Sequence, residues 1–285
     1  MNRVNLFLVG VNKAGTSWLY YLLDQHPSVF MADMKELYFF GDIDAYGPDD
    51  LEAYHAHFPL DQPFEYFGDA TVMYYRNPQV ADRIRTYNPA ARALAIVRDP
   101  IRRLRSQFQY HKQLGHVAEG ASLGKALDGN RPLVRDSHYE QTLPPFRERF
   151  GPDRFRIVSL EEGRRAPASF WAKVQDFLDL SPVPVPDTEE RPKNPTGSPW
   201  FRRLYRATIP PIREHAPGLY TRMLESPLIH RAKKTLLSLF GTANREALPP
   251  ALHERLREEF APTYAYLQRL GFEAYDPEEA FDSAA

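Results

Sequence analysis

Residues 6–19 read Leu6-Phe7-Leu8-Val9-Gly10-Val11-Asn12-Lys13-Ala14-Gly15-Thr16-Ser17-Trp18-Leu19. An apolar run fit for a buried strand gives way to a short turn bracketed by Gly10 and Gly15. The hydroxyl-bearing Thr16 and Ser17 then open an apolar helix. The first turn of a helix leaves backbone N–H groups without intrahelical partners and carries the positive end of the macrodipole. An anion placed there meets donors with no other use, and a lysine within the turn adds a full charge. The stretch reads as a phosphate cradle; taken alone, it could also be an ordinary strand-to-helix turn.

The spacing separates two chemistries. Gly10 and Gly15 enclose the same four-residue interval as the nucleoside-triphosphate P-loop, but that loop places Lys directly after its second Gly, where this chain has Thr16. A lysine there reaches β- and γ-phosphates beside a magnesium ion. Lys13, inside the turn, is nearer a single 5′-phosphate and the group attached to it.

A second segment agrees with the first. Arg92 to Val97 is a short apolar run suited to a buried parallel strand, and it ends on Arg98-Asp99-Pro100, where proline closes the strand and can start a helix. Arg98 therefore falls at a strand C-terminus, where ligands bind in open α/β sheets. Eight residues further along, on the following helix, stands Ser106. An arginine fork with a nearby hydroxyl suits a phosphate monoester, whereas a lone Arg98 could equally form a surface ion pair.

Together the two segments resemble the sulfotransferases that use 3′-phosphoadenosine-5′-phosphosulfate (PAPS), with the soluble bacterial type and the heparan or carbohydrate branch as the nearer likeness. The resemblance continues more loosely to about Leu180. It implies that Lys13, Ala14, Gly15, Thr16, Ser17 and Trp18 bind the 5′-phosphosulfate. Arg98 and Ser106 would bind the 3′-phosphate, with Lys193 in a basic loop that also touches phosphate. It also implies transfer of a sulfuryl group without a metal.

Lys35-Glu36-Leu37-Tyr38-Phe39-Phe40 sets a charged pair before an aromatic run. An acceptor needs a base, and a carboxylate in a partly apolar cleft has its pKa raised toward working pH. The segment resembles the Glu-containing motif that supplies the base in heparan-type enzymes, which makes Glu36 the candidate base beside Lys13 as the leaving-group stabiliser. The alternative is a simple Lys35–Glu36 ion pair. The steroid and phenol type uses a histidine shortly before the Arg motif; His55 and His57 lack that context. Gly68 to Tyr75 resembles an acceptor-side segment, but Ala70 stands where heparan-type enzymes carry Lys, which weakens the case for a polyanionic acceptor. Lys35, Tyr38, Phe40, Asp69, Thr71 and Tyr74 are the expected acceptor-side residues. Glu36 to Tyr75 holds nine acidic residues and no Lys or Arg, whereas Ser198 to Arg245 holds nine basic residues and two Glu. Both runs read first as solvated faces.

The whole chain permits this reading. Its 285 residues are 43% hydrophobic, enough for a full core, and the net charge of −1 gives no global field for nucleic acid. No cysteine is present, which excludes disulfides and thiol chemistry, and no metal-ligand spacing appears. No apolar stretch approaches the ~20 residues needed to cross a bilayer, so stable membrane insertion is not expected and a cytoplasmic location is the default.

Apolar periodicity predicts strands at Asn5–Gly10, Tyr66–Asp69, Arg92–Val97 and Phe155–Ser159. Helices are predicted at Thr16–Gln25, Pro78–Tyr87, Ile101–Leu114, Tyr139–Phe150 and Ala166–Leu180. Such alternation implies a three-layer α/β fold of P-loop-like type, a central parallel sheet flanked by helices. Residues 1–285 are expected to form one sulfotransferase domain, with a nucleotide-binding core at 1–180 and a loop and mainly helical extension at 181–285. The expected acceptor is a small molecule or glycan carrying a hydroxyl, with an amine as second choice. The rival readings are a magnesium-dependent nucleotide kinase and a non-catalytic nucleotide-binding module.

Overall fold

The computed structural model describes residues 2–41, 50–114, 116–118, 120–129, 131–186 and 248–272. These build a five-stranded, wholly parallel sheet in the order β2-β3-β1-β4-β5. Its strands are β1 (Leu6–Gly10), β2 (Val29–Met31), β3 (Tyr66–Asp69), β4 (Arg92–Val97) and β5 (Phe155–Ser159). Four of them match the expected runs. The fifth, β2, is three residues long and sits at the sheet edge against β3, too short for a periodicity to register.

Helices α1 (Thr16–Asp24), α2 (Leu51–His55) and α3 (Gln79–Tyr87) lie among the first strands, and α4 (Pro100–Leu114) follows β4. The short helices α5 (Leu123–Gly129), α6 (Arg131–Arg135), α7 (Tyr139–Thr142) and α8 (Pro144–Phe150) lead to β5. After it come α9 (Leu160–Arg165), α10 (Pro167–Phe177), α11 (Pro250–Glu259) and α12 (Ala261–Arg269). The single helix expected at Tyr139–Phe150 is two, parted at Leu143 by Pro144, which opens α8. The helix expected from Ala166 to Leu180 is shorter, beginning at Pro167 and ending at Phe177, with α9 just before it. Of the loop and helical extension expected at 181–285, residues 181–186 form no helix or strand, α11 and α12 lie within 248–272, and the rest is outside the described residues.

The chain divides into two compact units. The first, residues 1–104, 134–188 and 257–285, carries the sheet. Period-two alternation sends Phe7 and Val9 of β1 and Ala93, Ala95 and Val97 of β4 to one face, where they pack with α3, α7, α8 and α12. Leu6, Leu8, Leu94 and Ile96 face the other side and pack with α1 and α10, whose Trp171 is fully buried. Both faces are covered, which is why these strands read as unbroken apolar runs. The second unit, residues 105–133 and 189–256, includes among its described residues the later turns of α4 and helix α5, whose Gly124 lies close to Leu252.

In the sheet, β1 is central: the chain leaves it toward β2 and β3 on one side, then crosses to β4 and β5 on the other. The C-terminal ends of β1 and β4 therefore flank the switch point at which such sheets hold ligands.

Candidate active site

The loop after β1 is shaped by two close approaches. Gly10 lies against Tyr75, where a Cβ would fall 2.7 Å from its ring. Gly15 caps α1 at φ 98°, with a hypothetical Cβ 2.6 Å from the Leu160 side chain. Neither position admits another residue without a shift, so the glycines set the path of the turn. Lys13 is also left-handed, at φ 64°, a conformation that costs an L-residue energy and persists where its surroundings impose it. Helix α1 has no side-chain cap and no acidic residue in its first turn. Its N-terminus thus keeps its positive end.

Cations gather around that end. Arg98, at the close of β4, donates from Nη1 to the Lys13 carbonyl at 3.3 Å, while its own carbonyl accepts from Tyr139 Oη at 2.9 Å. Its Nε is buried with no hydrogen-bond partner. Burial, then Arg164, lowers the Arg98 pKa to about 10. Burial first, then the charges of Arg98 and Arg103, lowers Lys13 to about 8. Arg103 is fully buried. It donates to Asn12 Oδ1 at 2.8 Å and Ser137 Oγ at 2.7 Å, with Asp136 at 3.7 Å. Asn12 also accepts from Tyr75 at 3.3 Å, so Arg103 ties the floor of the loop to the start of α7.

A second group lies alongside. Lys35 Nζ is 3.3 Å from Ser17 Oγ and 5.0 Å from the centre of the Tyr20 ring, which joins the Glu36 segment to the first turn of α1. Glu36 sits at φ 65° with its N–H on the Ala70 carbonyl at 3.2 Å. Burial, and secondarily Asp69, raises its pKa to about 7 against the pull of Lys35 and hydrogen bonds from Tyr38 and the Val72 backbone. Its Oε2 is buried with no partner.

The structure thus brings together Lys13, Ala14, Gly15, Thr16, Ser17, Arg98, Lys35 and Glu36, all within one unit. Trp18 points inward and stacks on Phe170. Ser106 is on α4 in the second unit, and Lys193 lies outside the described residues. Of the expected acceptor-side residues, Lys35 and Tyr38 are half-buried, whereas Asp69 and Thr71 are 0% exposed, Tyr74 2% and Phe40 5%. Asp69, Thr71 and Tyr74 lie beneath the Glu36 segment, and Phe40 is the buried last residue of that segment. His55, which lacks the context of the histidine-dependent type, contacts Tyr87 Oη at 2.7 Å.

Sequence reasoning missed Arg103, Asn12, Glu161 and Tyr264. Glu161 Oε1 accepts the Asp99 N–H at 3.1 Å, and Tyr264 donates to Asp99 Oδ2 at 2.8 Å, fixing the turn after Arg98. The signal for Arg103 was its place in α4, between the buried Ile101 and Leu104.

Residues 3–191 match the family model of the sulfotransferase domain. The chain belongs to that family. Sulfotransferases are also its relatives among curated proteins. It is 33% identical over 112 residues to the membrane-associated sulfotransferase kil1 of Dictyostelium discoideum, covering 38% of this chain and 23% of that protein. It is 27% identical over 186 residues to the human heparan sulfate glucosamine 3-O-sulfotransferase 5, covering 61% of this chain and 53% of the other. The chain therefore spans about half or less of these relatives. The fold is shared with a solved sulfotransferase from Alicyclobacillus acidocaldarius, at TM-score 0.68 and 22% identity over 95% of this chain and 96% of that one. Among the described residues no helix is long and apolar enough to cross a membrane.

Proposed function

We propose that this sulfotransferase domain moves a sulfuryl group from PAPS to a hydroxyl of a small-molecule or glycan acceptor. The observation that carries the reading is the Lys35–Ser17 contact, because it joins the segment that holds Glu36, a carboxyl whose pKa burial raises to about 7, to the first turn of α1 that follows the Lys13 loop.

The residues present fit such a donor. The buried Nε of Arg98 has no hydrogen-bond partner, and the start of α1 carries no side-chain cap, so both suit an anion. PAPS supplies an activated sulfuryl group whose departure leaves charge on a phosphate. Lys13, with the N–H groups at Gly15, Thr16 and Ser17, would hold that phosphate and stabilise the charge as it develops. Arg98 would take the 3′-phosphate. The roles of Ser106, Lys193 and Trp18 rest on the family resemblance. Glu36, ionised above about pH 7, would remove the acceptor proton.

Incubation with radiolabelled PAPS and fractionated acceptor extracts, with the product identified by mass spectrometry, tests the reading. A sulfated product together with adenosine 3′,5′-bisphosphate is the expected result. Turnover of ATP with magnesium and none of PAPS would replace it with a kinase.

A further inference from the structure

The Glu36 segment is suspended from one buried carboxylate. Thr71 Oγ1 accepts the Tyr38 N–H at 3.2 Å and donates to Asp69 Oδ1 at 2.7 Å. Tyr74 Oη accepts the Phe40 N–H at 3.2 Å and donates to Asp69 Oδ2 at 3.1 Å, and Tyr54 Oη donates to the same oxygen at 3.2 Å. A backbone N–H can only donate. Thr71 and Tyr74 therefore use a lone pair on the segment and turn their single proton toward Asp69.

Three hydroxyl protons thus converge on Asp69, which is completely buried on the last residue of β3. A carboxylate satisfies all three; a neutral acid or an amide would bring a further donor among donors. The same strand end supplies the Ala70 carbonyl that holds the Glu36 N–H. Glu36 and Tyr38, both left-handed at φ 65° and 59°, are therefore pinned from one side at three backbone points.

We propose that Asp69 is the positioning residue for Glu36: through Thr71 and Tyr74 it fastens the Tyr38–Phe40 backbone and so fixes where the Glu36 carboxyl stands. The proposal rests on the reading of Glu36 as the base. It also gives Asp69, Thr71 and Tyr74 a task other than touching the acceptor.

The charges agree with this arrangement. The Glu36 carboxyl faces Lys35, Asp69, the Tyr38 side chain and the Val72 N–H, and of these only Asp69 disfavours ionisation. Asp69 in turn faces Thr71, Tyr74 and Tyr54, with Tyr87 also sensing its charge. Replacing Asp69 by a neutral residue removes that repulsion and loosens the segment toward water. Both effects lower the Glu36 titration midpoint.

The test uses the full chain, isotopically labelled, with NMR as a readout independent of turnover. In Asp69→Asn, hydrogen-exchange protection of the Tyr38 and Phe40 amides is expected to fall about tenfold or more. The Glu36 carboxyl midpoint should move down, while affinity for adenosine 3′,5′-bisphosphate stays within about threefold. Thr71→Val should expose the Tyr38 amide alone, and Tyr74→Phe the Phe40 amide alone. These single-arm variants decide the matter if Asp69→Asn does not fold. Unchanged protection in both arms, or a Glu36 midpoint that stays in place or rises when Asp69 is neutralised, would overturn the proposal. If instead Glu36→Gln retained full transfer, the base assignment would fail while the NMR result on Asp69 stood by itself.

Discussion

The loop after β1 and the segment around Glu36 are neighbours, joined by Lys35 and Ser17, yet burial drives their charged groups in opposite directions. It lowers Lys13 to about 8 and raises Glu36 to about 7. In each region like charges reinforce the effect: Arg98 and Arg103 beside Lys13, Asp69 beside Glu36. The difference lies in what is missing. The cationic loop leaves the Arg98 Nε without a partner and so suits an anion, whereas the carboxylate segment leaves the Glu36 Oε2 without one and so suits a proton. One region is organised by glycine turns and an arginine, the other by hydroxyls around Asp69.

Removing the cation should have the largest effect. Lys13→Ala is expected to lower kcat by about 10²–10³, the usual loss for a preorganised donor to developing charge. Stopped-assay rates with saturating PAPS measure it. A mutant with wild-type kcat and a raised donor KM would place Lys13 in ground-state binding instead.

Removing the base should cost somewhat less. Glu36→Gln keeps the side-chain shape, so donor affinity should persist while transfer falls by about 10². In the wild type, kcat/KM should rise with pH through about 7, as Glu36 ionises, and fall through about 8, as Lys13 loses its proton. The mutant should lose the acidic limb and keep the basic one. Near-full activity in Glu36→Gln with loss in His55→Ala would move the base to the histidine.

The two regions can also be separated without an acceptor. Adenosine 3′,5′-bisphosphate should raise the wild-type melting temperature above the shift given by adenosine 5′-monophosphate, by roughly 5 °C if the 3′-phosphate strengthens binding about 100-fold. In Arg98→Ala the two shifts should coincide; in Glu36→Gln their difference should remain. Equal shifts in the wild type would remove Arg98 from the 3′-phosphate.

The smallest effect concerns stability. Because the folded-state pKa of Glu36 is raised above its ordinary value, its contribution to stability is fully present below about pH 4.5 and is lost as pH rises through about 7. Glu36→Gln should therefore melt a few degrees above the wild type at pH 8, and the gap should close toward pH 4.5. A gap that widened on acidification would show that Glu36 is stabilised, not strained, by its surroundings.

Much of this comparison was legible beforehand. Lys13, Gly15 and Arg98 could be read because each is tied to a local signal: a glycine turn, a helix start, or a strand closed by proline. Glu36 could be read from the charged pair before an aromatic run. Asp69, Thr71, Tyr74 and Phe40 were identified as part of the same region but expected against the acceptor, and the structure buries them. A strand residue followed by a turn gives no local indication of which hydroxyls will point at it. Arg103 was overlooked for a related reason, since arginines on a helix usually face water and only packing shows that one does not.

The sequence alone determined the alternation of strands and helices, the two switch-point loops and the types of charge they carry, because those follow from period-two and period-3.6 patterning and from the fixed preferences of glycine and proline. Tertiary structure alone decided that Arg103 holds Asn12, that Tyr264 reaches Asp99 from 165 residues away, and that Asp69 gathers three hydroxyls beneath Glu36. Those contacts join residues far apart in the chain or turned inward by packing. Burial, which sets the working pKa of Lys13 and Glu36, exists only once the sheet and its helices have closed around them.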